Sequence, residues 1–309
     1  MGWQQVSNKE YCETFINVPS IFHTSNFNEL NASKVDQVFY LIAHLNNCNY
    51  GIVVGKIESE LKSPFSAPFG GIIYSGNYNL NDLQLLGQDL IQWAKNDSSN
   101  LYITLPPIYY NDSFYGAVIE SFKNAGFETN YIDLNAHFDL QTNFSFEDNL
   151  ERNARKNLNN ALKYSYSFSL ANSIEDKQNV YSIIRKNRSE KGFPLRMTFE
   201  DLERTNTVVP IDYFLLEMDD FQCAAAIVFS ISPTTVMVVY WGNLYDHAEK
   251  RPMNLLPKLL FEHYQKQGKQ FIDVGPSSEN GIINEGLAAF KKSLGCISTE
   301  KYSLKFTYG

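Results

Sequence analysis

The sequence predicts an α/β chain of the α+β kind, built as two lobes, each a mixed, mostly antiparallel sheet flanked by helices. Three observations carry that expectation. With 309 residues the chain exceeds the roughly 100 to 200 residues of a common domain. Its apolar residues fall into runs of strand length and runs of helical spacing. The order of those runs is consecutive strands, then helix, strand, helix, strand, and it occurs twice without sequence identity between the halves. The lobes are assigned to residues 1–140 and 141–309, with a junction near 135–147.

In the first lobe, Val38 to Leu45 and Tyr50 to Ile57 flank an Asn-Asn-Cys-Asn turn and read as a hairpin. The loop Ser63 to Gly71 follows; its two prolines and two phenylalanines sit before two glycines, and it leads into a short strand near Ile72 to Tyr74. Leu83, Leu86, Leu90 and Trp93 give helical spacing over Leu80 to Lys95. Strand Leu101 to Leu105 stops at Pro106-Pro107, helix Asp112 to Asn124 comes next, and strand Phe127 to Leu134 ends the lobe.

The second lobe opens on a basic helix, Glu147 to Lys163. Leu150, Ala154, Leu158 and Ala161 form its apolar stripe, with Arg152, Arg155, Lys156 and Lys163 on the other side. A helix over Glu175 to Arg188 stops near Gly192 and Pro194, and a third starts at Thr198, with Asp201 three residues on as its capping partner. Strands Ile211 to Met218, Cys223 to Ser230 and Val236 to Trp241 follow, then helix Leu255 to Gln267, strand Gln270 to Val274, helix Asn284 to Leu294 closed by Gly295, and a last strand Ile297 to Phe306.

Composition narrows the function classes. Hydrophobic residues at 44% and charged residues at 19% supply real cores and exclude a disordered chain. A net charge of -8 argues against DNA binding, which needs a basic surface. The charge is uneven: residues 1–149 carry 6 basic and 16 acidic groups, whereas residues 150–205 carry 11 and 7. Cys12, Cys48, Cys223 and Cys296 lie far apart and read as separate reduced thiols. No signal-like start, myristoylation motif or membrane-length apolar run is present, so cytoplasmic localisation without membrane insertion is expected. His23, His44, His137, His247 and His263 have no ligand partner at metal spacing, and no metal is expected. G-x-G-x-x-G, G-x-S-x-G and H-E-x-x-H are all missing, which removes the usual dehydrogenase, hydrolase and zincin fingerprints. Gly51 to Ile57 resembles a phosphate loop only faintly, being one residue short and inside a strand.

Two stretches remain. Strand Val236 to Trp241 runs through Gly242-Asn243 and a charged loop to Arg251, then to a helix that Asn254 is expected to cap, with Pro257 in its first turn. A helix N-terminus facing a strand end favours anions, so Arg251, Asn254 and Leu255 are the candidate cofactor-binding residues. In Gly286 to Gly295, Leu287, Phe290 and Leu294 form an apolar stripe. Lys291 lies about 40° from Leu287 on the helical wheel, while Lys292 faces solvent. Lys291 is thus set against the protein body, where its stem could equally serve only to cover apolar surface.

Taken together, Arg155 to Ala161, Asn187 to Pro194 (NRSEKGFP), Tyr240-Trp241-Gly242, Lys269 to Gly275 (KQFIDVG) and Gly286-Leu287 with Phe290-Lys291 and Gly295 resemble the FemAB-like family of N-acyltransferases. The resemblance is clearest over residues 147–309 and implies two tandem GNAT (acyl-CoA N-acyltransferase) domains. It implies transfer of an acyl or aminoacyl group to an amine of a small-molecule, cell-envelope, sugar-linked or peptidoglycan-precursor-like acceptor. The donor is an acyl-CoA or aminoacyl-tRNA acting as substrate, with no tightly bound cofactor. On this likeness Lys291 corresponds to the lysine near the reacting centre, Phe290 to its substrate-contacting neighbour, and Arg152, Arg155 and Lys156 meet an anionic substrate or tRNA. Asp273 and Glu217 are the shortlisted bases, and Tyr240 the acid or orienting group. The stretch Arg251 to Leu256 lacks the glycines with which GNAT enzymes cradle a CoA pyrophosphate, so weak binding of acetyl-CoA is expected. The competing reading is a non-catalytic binding protein with a degenerate double fold.

Overall fold

The computed structural model describes residues 2–95, 100–141, 145–219 and 221–308. The chain begins with strand β1 (Gln4–Val6) and helices α1 (Asn8–Thr14) and α2 (Ser25–Leu30). The expected hairpin is β2 (Gln37–Leu45) with β3 (Cys48–Ile57), and β4 (Glu60–Ser63) and β5 (Ile73–Ser75) follow. Next come α3 (Leu80–Ala94), β6 (Asn100–Thr104), α4 (Asp112–Ala125) and β7 (Glu128–Asp139). The remaining order is α5 (Arg152–Ala161), β8 (Tyr166–Leu170), α6 (Ile174–Glu190), α7 (Phe199–Asn206), β9 (Ile211–Met218), β10 (Phe221–Ser230), β11 (Thr235–Asn243), α8 (Pro252–Lys266) and β12 (Phe271–Pro276). A small hairpin, β13 (Ser278–Glu279) and β14 (Ile282–Ile283), then precedes α9 (Glu285–Ser293) and β15 (Ile297–Thr307).

The chain divides into two compact units. Unit 1 holds Met1–Leu134, Ser278–Ile282 and Thr299–Gly309; unit 2 holds Asn135–Ser277 and Ile283–Ser298. This differs from a simple cut at residue 140, because the end of the chain returns to unit 1: Ser303 to Thr307 pair with Thr104 to Asn100 of β6. Sequence separation says nothing about such a pairing.

In unit 1 the strand order is β1, β2, β3, β4, β6, β15 and the first half of β7, with β5 also on β3. The β1 to β4 pairs are antiparallel and β4 runs parallel to β6. Leu61, Leu101, Ile103 and Leu304 of the strands cluster with Leu83, Leu86 and Leu90 of α3 and Phe114, Val118 and Phe122 of α4. Each such side chain removed from water contributes about 1.5 to 3 kcal/mol. Asn79 and Asn111 cap α3 and α4 by accepting from backbone N–H groups, and Gly126 ends α4 at positive φ.

In unit 2 the order is the second half of β7, then β12, β11, β10, β9 and β8, and among the described residues only β11 and β12 are parallel. Both units therefore contain an antiparallel run followed by one parallel pair, β4 with β6 and β11 with β12. Parallel neighbours need a crossover, and α3 and α8 supply it. Ala154 and Leu158 of α5, and Leu255, Leu256, Leu260 and Phe261 of α8, pack with Phe214, Leu216, Val236, Val238 and Ile272 in one core. The Thr198 and Asp201 capping box forms at the start of α7 as its sequence spacing predicts.

The local expectations shift in several places, of which three bear on the site. Helix α5 is shorter than 147–163, because Ser145 and Asp148 close a separate turn over Phe146–Asn149 before it. Strand β8 has no counterpart in the apolar pattern; its residues are mostly exposed at the edge of the sheet, where the pairing with β9 alone defines it. Helix α8 starts at Pro252, not at Leu255: Arg251 occupies the cap position with φ 59°, and Pro252 fits the first helical position because its missing N–H is not needed there.

Candidate active site

The candidate site in unit 2 starts from a fork in its sheet. β11 and β12 pair only through Thr235 with Phe271, Val236 with Ile272 and Met237 with Asp273. Beyond that point β11 continues to Asn243 and β12 to Pro276 without pairing to each other. β11 also carries a bulge: Ile227 opposes Tyr240 while Val228 opposes Val238, so Val239 is the extra residue. On the other side of β12 the register with β7 slips after Asp273 and His137 and resumes at Pro276 and Asn135. Asp273 is thus the last regular residue of β12 toward both neighbours.

Lys291 of α9 reaches this point. Its ammonium donates to the carbonyls of Gly275 at 2.8 Å and Pro276 at 2.9 Å, and the residue is only 3% exposed. Burial brings its pKa down from 10.5 to about 8. The acids that act against this fall are Cys296, just past α9, and Asp273. The Cys296 thiol is itself fully buried and pushed far up, so it is neutral at pH 7, which leaves Asp273 as the acid side chain that acts on the lysine. Asp273 is 0% exposed; its Oδ1 accepts from the Gly275 N–H at 2.7 Å and from Asn135 Nδ2 at 3.1 Å. Gly275 has φ 74°, a conformation open to glycine at little steric cost. His137, opposite Asp273, is driven down to about 4 by burial and is neutral. Lys292 is exposed, as the helical wheel places it.

A cavity of about 300 Å³ lies at the start of α8. Its polar wall includes Asn153 and Asn157 of α5, Asn243 at the end of β11, Arg251, Asn254 and Ser293, and Phe290 adds an aromatic edge. Few helix-terminal donors are left to serve it. Pro252 has none, and the Asn254 N–H is taken by the Arg251 carbonyl at 3.0 Å. Pro257, inside α8, has no N–H to donate back to the Met253 carbonyl. The Leu255 side chain belongs to the core and is not among the residues that line this space. Arg152, Arg155 and Lys156 are exposed on α5, the helix that sends Asn153 and Asn157 into the cavity.

On the opposite face of β11 lies a group of cations that local pattern does not announce. Arg188 of α6 lies 5.2 Å from the Tyr240 ring and 5.9 Å from that of Phe193. Burial, together with nearby Arg196, lowers its pKa, and burial and Arg188 lower that of Lys191. Arg188 is therefore flanked by two exposed cations, Arg196 and Lys191, and Glu190 acts on Lys191 in the opposite sense. The NRSEKGFP segment contributes Arg188 and Lys191, but only the tertiary fold sets Arg196 and Tyr240 beside them. Asn187 of the same segment donates to the Asn243 carbonyl at 2.6 Å and occupies the space where a Gly242 side chain would be.

The structure separates the shortlisted catalytic groups. Tyr240 and Trp241 are successive strand residues and point to opposite faces. Trp241 packs on Phe290, with ring centroids 6.4 Å apart, so Tyr240 is turned away from the Phe290 side and lies under Arg188. Glu217 pairs with Gln222 near the β9–β10 turn, three strands from β12. At about 4.8 Å per strand that is roughly 14 Å sideways, and the register adds about 20 Å along the strands. It cannot act at the same centre as Lys291. Asp273 does lie beside Lys291, but it is closed off inside the protein, with one oxygen shared between two donors.

No family model matches the chain, and no curated protein matches it. Solved structures do. The crystal structure of FemX aligns with 100% of this chain and 98% of its own at a TM-score of 0.71 and 12% identity. L-PGS from Bacillus licheniformis aligns with 98% of this chain and 93% of its own, at 0.58 and 14%. A tandem GNAT protein from the clavulanic acid biosynthesis pathway aligns with 99% and 98%, at 0.55 and 10%. At such identities the likeness is one of fold. No helix among the described residues is long and apolar enough to cross a membrane. In its architecture, then, the chain has the tandem GNAT-type fold of the FemAB-like kind.

Proposed function

We propose that the protein transfers an aminoacyl or acyl group to an amine, with unit 2 as the reacting unit. The observation that carries this reading is Lys291: a buried ammonium, fixed by two carbonyls at the end of the paired part of β11 and β12, with one N–H left over. Such a donor suits the oxyanion that forms when a neutral amine attacks an activated carbonyl. The C–N bond forms, the donor's C–O or C–S bond breaks, and the departing oxygen or sulfur takes the proton that the amine releases. No buried carboxylate is needed as base in this scheme, in keeping with the positions of Asp273 and Glu217.

For the donor we favour an aminoacyl group on an anionic carrier such as tRNA over acyl-CoA. The α8 N-terminus is poor in free N–H groups, whereas Asn153, Asn157, Asn243 and Asn254 offer side-chain amides to a base or sugar, and Arg152, Arg155 and Lys156 are exposed on the adjoining helix for phosphates. The folds of FemX and L-PGS support aminoacyl transfer without choosing the acceptor. For an acceptor carrying phosphate or carboxylate, the Arg188, Lys191 and Arg196 cluster is the anion site. The test is a transfer assay that crosses charged tRNAs and acyl-CoAs with amine-bearing envelope precursors. Aminoacyl transfer lost in Lys291→Ala is the expected result. Binding of these compounds with no transfer from any donor would replace the proposal with a binding protein.

A further inference from the structure

We propose that Asp273 is a positioning residue for Lys291: its carboxylate sets the bulge of β12 whose two carbonyls grip the ammonium, and it supplies the buried countercharge. This rests on the transfer reading for its consequence in catalysis, but not for its geometry.

The geometry begins with sequence. An Asp side chain can accept from the N–H two residues on and hold the backbone in a turn. Asp273 does this to Gly275 at 2.7 Å, and Gly275 supplies the positive φ of 74°. Two residues of β12, Val274 and Gly275, then stand against Ala136 alone on β7, since Asp273 pairs with His137 and Pro276 with Asn135. A bulge leaves backbone groups outside the ladder. Here the carbonyls of Gly275 and Pro276 are turned to Lys291 Nζ at 2.8 and 2.9 Å. Asn135, on the neighbouring strand, donates to the same Asp273 oxygen at 3.1 Å and fixes the carboxylate from the far side. One side chain thus orders the stretch between the paired positions Asp273 and Pro276.

The charged and titratable groups around Lys291 come from three elements. Asp273 is on β12, Cys296 follows α9, and His137 of β7 stands across from Asp273. With the thiol and the imidazole both neutral, Asp273 is the remaining acid that acts against the fall of the Lys291 pKa. On its own helix Lys292 faces solvent.

The experiment compares Asp273→Asn, which keeps an acceptor oxygen but no charge, with Asp273→Ala, which keeps neither. The full chain is labelled with [13Cε]lysine, and the Lys291 signal is assigned by its loss in Lys291→Met. In the parent the two ε protons of a clamped lysine are expected to be inequivalent and the signal to titrate below the ordinary 10.5, at about 8. In Asp273→Asn the inequivalence is expected to persist and the titration to move to lower pH, because a favourable negative charge has gone. In Asp273→Ala the two protons are expected to become equivalent as the carbonyl grip is lost. Asn135→Ala, which removes a single hydrogen bond, serves if Asp273→Ala does not fold, and should reduce the inequivalence. An unchanged titration in Asp273→Asn, or a parent-like Lys291 signal in folded Asp273→Ala, would overturn the proposal whether or not transfer is ever detected. Where transfer is measured, Asp273→Asn should keep turnover within about tenfold, and Asp273→Ala should lower kcat with KM unchanged. Complete loss in Asp273→Asn with the Lys291 signal unmoved would instead make Asp273 a base.

Discussion

Replacing Lys291 by Met, a side chain of similar length without charge, isolates the cost of holding an ammonium inside the protein. Burial brings the Lys291 pKa from 10.5 to about 8. At 1.36 kcal/mol per unit this corresponds to about 3 kcal/mol against the charged native form. The sign follows from proton binding. Between about pH 8 and 10.5 the unfolded chain keeps the proton that the native chain has released, so stability rises with pH through that window. Below pH 8 the penalty is complete, and above 10.5 it is gone. The Met variant has no such term, so the stability of the parent relative to the variant should grow by about 3 kcal/mol from pH 7 to 10.5, other groups cancelling. At pH 7 alone the comparison is less telling. Met also leaves the Gly275 and Pro276 carbonyls without their donor, at a cost of about 1 to 3 kcal/mol each where buried. Urea unfolding of both proteins at half-unit steps across the range, with Lys292→Met as a flat control, gives the difference directly. Parallel curves for parent and Lys291→Met would refute the reasoning.

Lys291→Ala should lower turnover by about a hundredfold or more with little change in substrate affinity, as loss of an oxyanion donor does, while Lys292→Ala should stay near the parent in the same transfer assay. Acetyl-CoA should bind weakly or not at all by calorimetry; micromolar binding abolished by Arg251→Ala would return the protein to the CoA-using class. Arg188→Ala should raise KM for an anionic acceptor about tenfold and leave kcat unchanged, which kinetics against acceptors with and without the anionic group can check. Gly242→Ala should lose about 1 to 3 kcal/mol in thermal or urea unfolding, since the new Cβ collides with the Asn187 side chain that holds the Asn243 carbonyl.

What the sequence determined by itself is what short-range physics writes into it. The Thr198 capping box and the Ala154 and Leu158 stripe of α5 both depend on residues within one or two helical turns. The same holds for the contrast between Lys291 and Lys292: a 100° step on one helix is enough to put the first inside and the second in water. The stripe beside them was less exact, since Leu294 is buried while Leu287 and Phe290 are only partly covered. The repeated order of strands and helices likewise carried the two-unit fold.

The tertiary structure decided everything that depends on which strand lies beside which. Asp273 and Glu217 are both carboxylates on strands of one sheet, and nothing in their local pattern tells them apart; register sets one against Lys291 and the other far along β9. Tyr240 was separated from Phe290 by strand parity and then placed under Arg188 by the packing of α6. Arg196 joined Arg188 and Lys191 only through the fold, and β15 entered unit 1 through pairing with β6, almost two hundred residues away in sequence. Local periodicity fixes an element and the face it buries, but pairing between distant strands is set by closure of the whole core, so the groups that meet at a sheet's fork become visible only when the sheet is assembled.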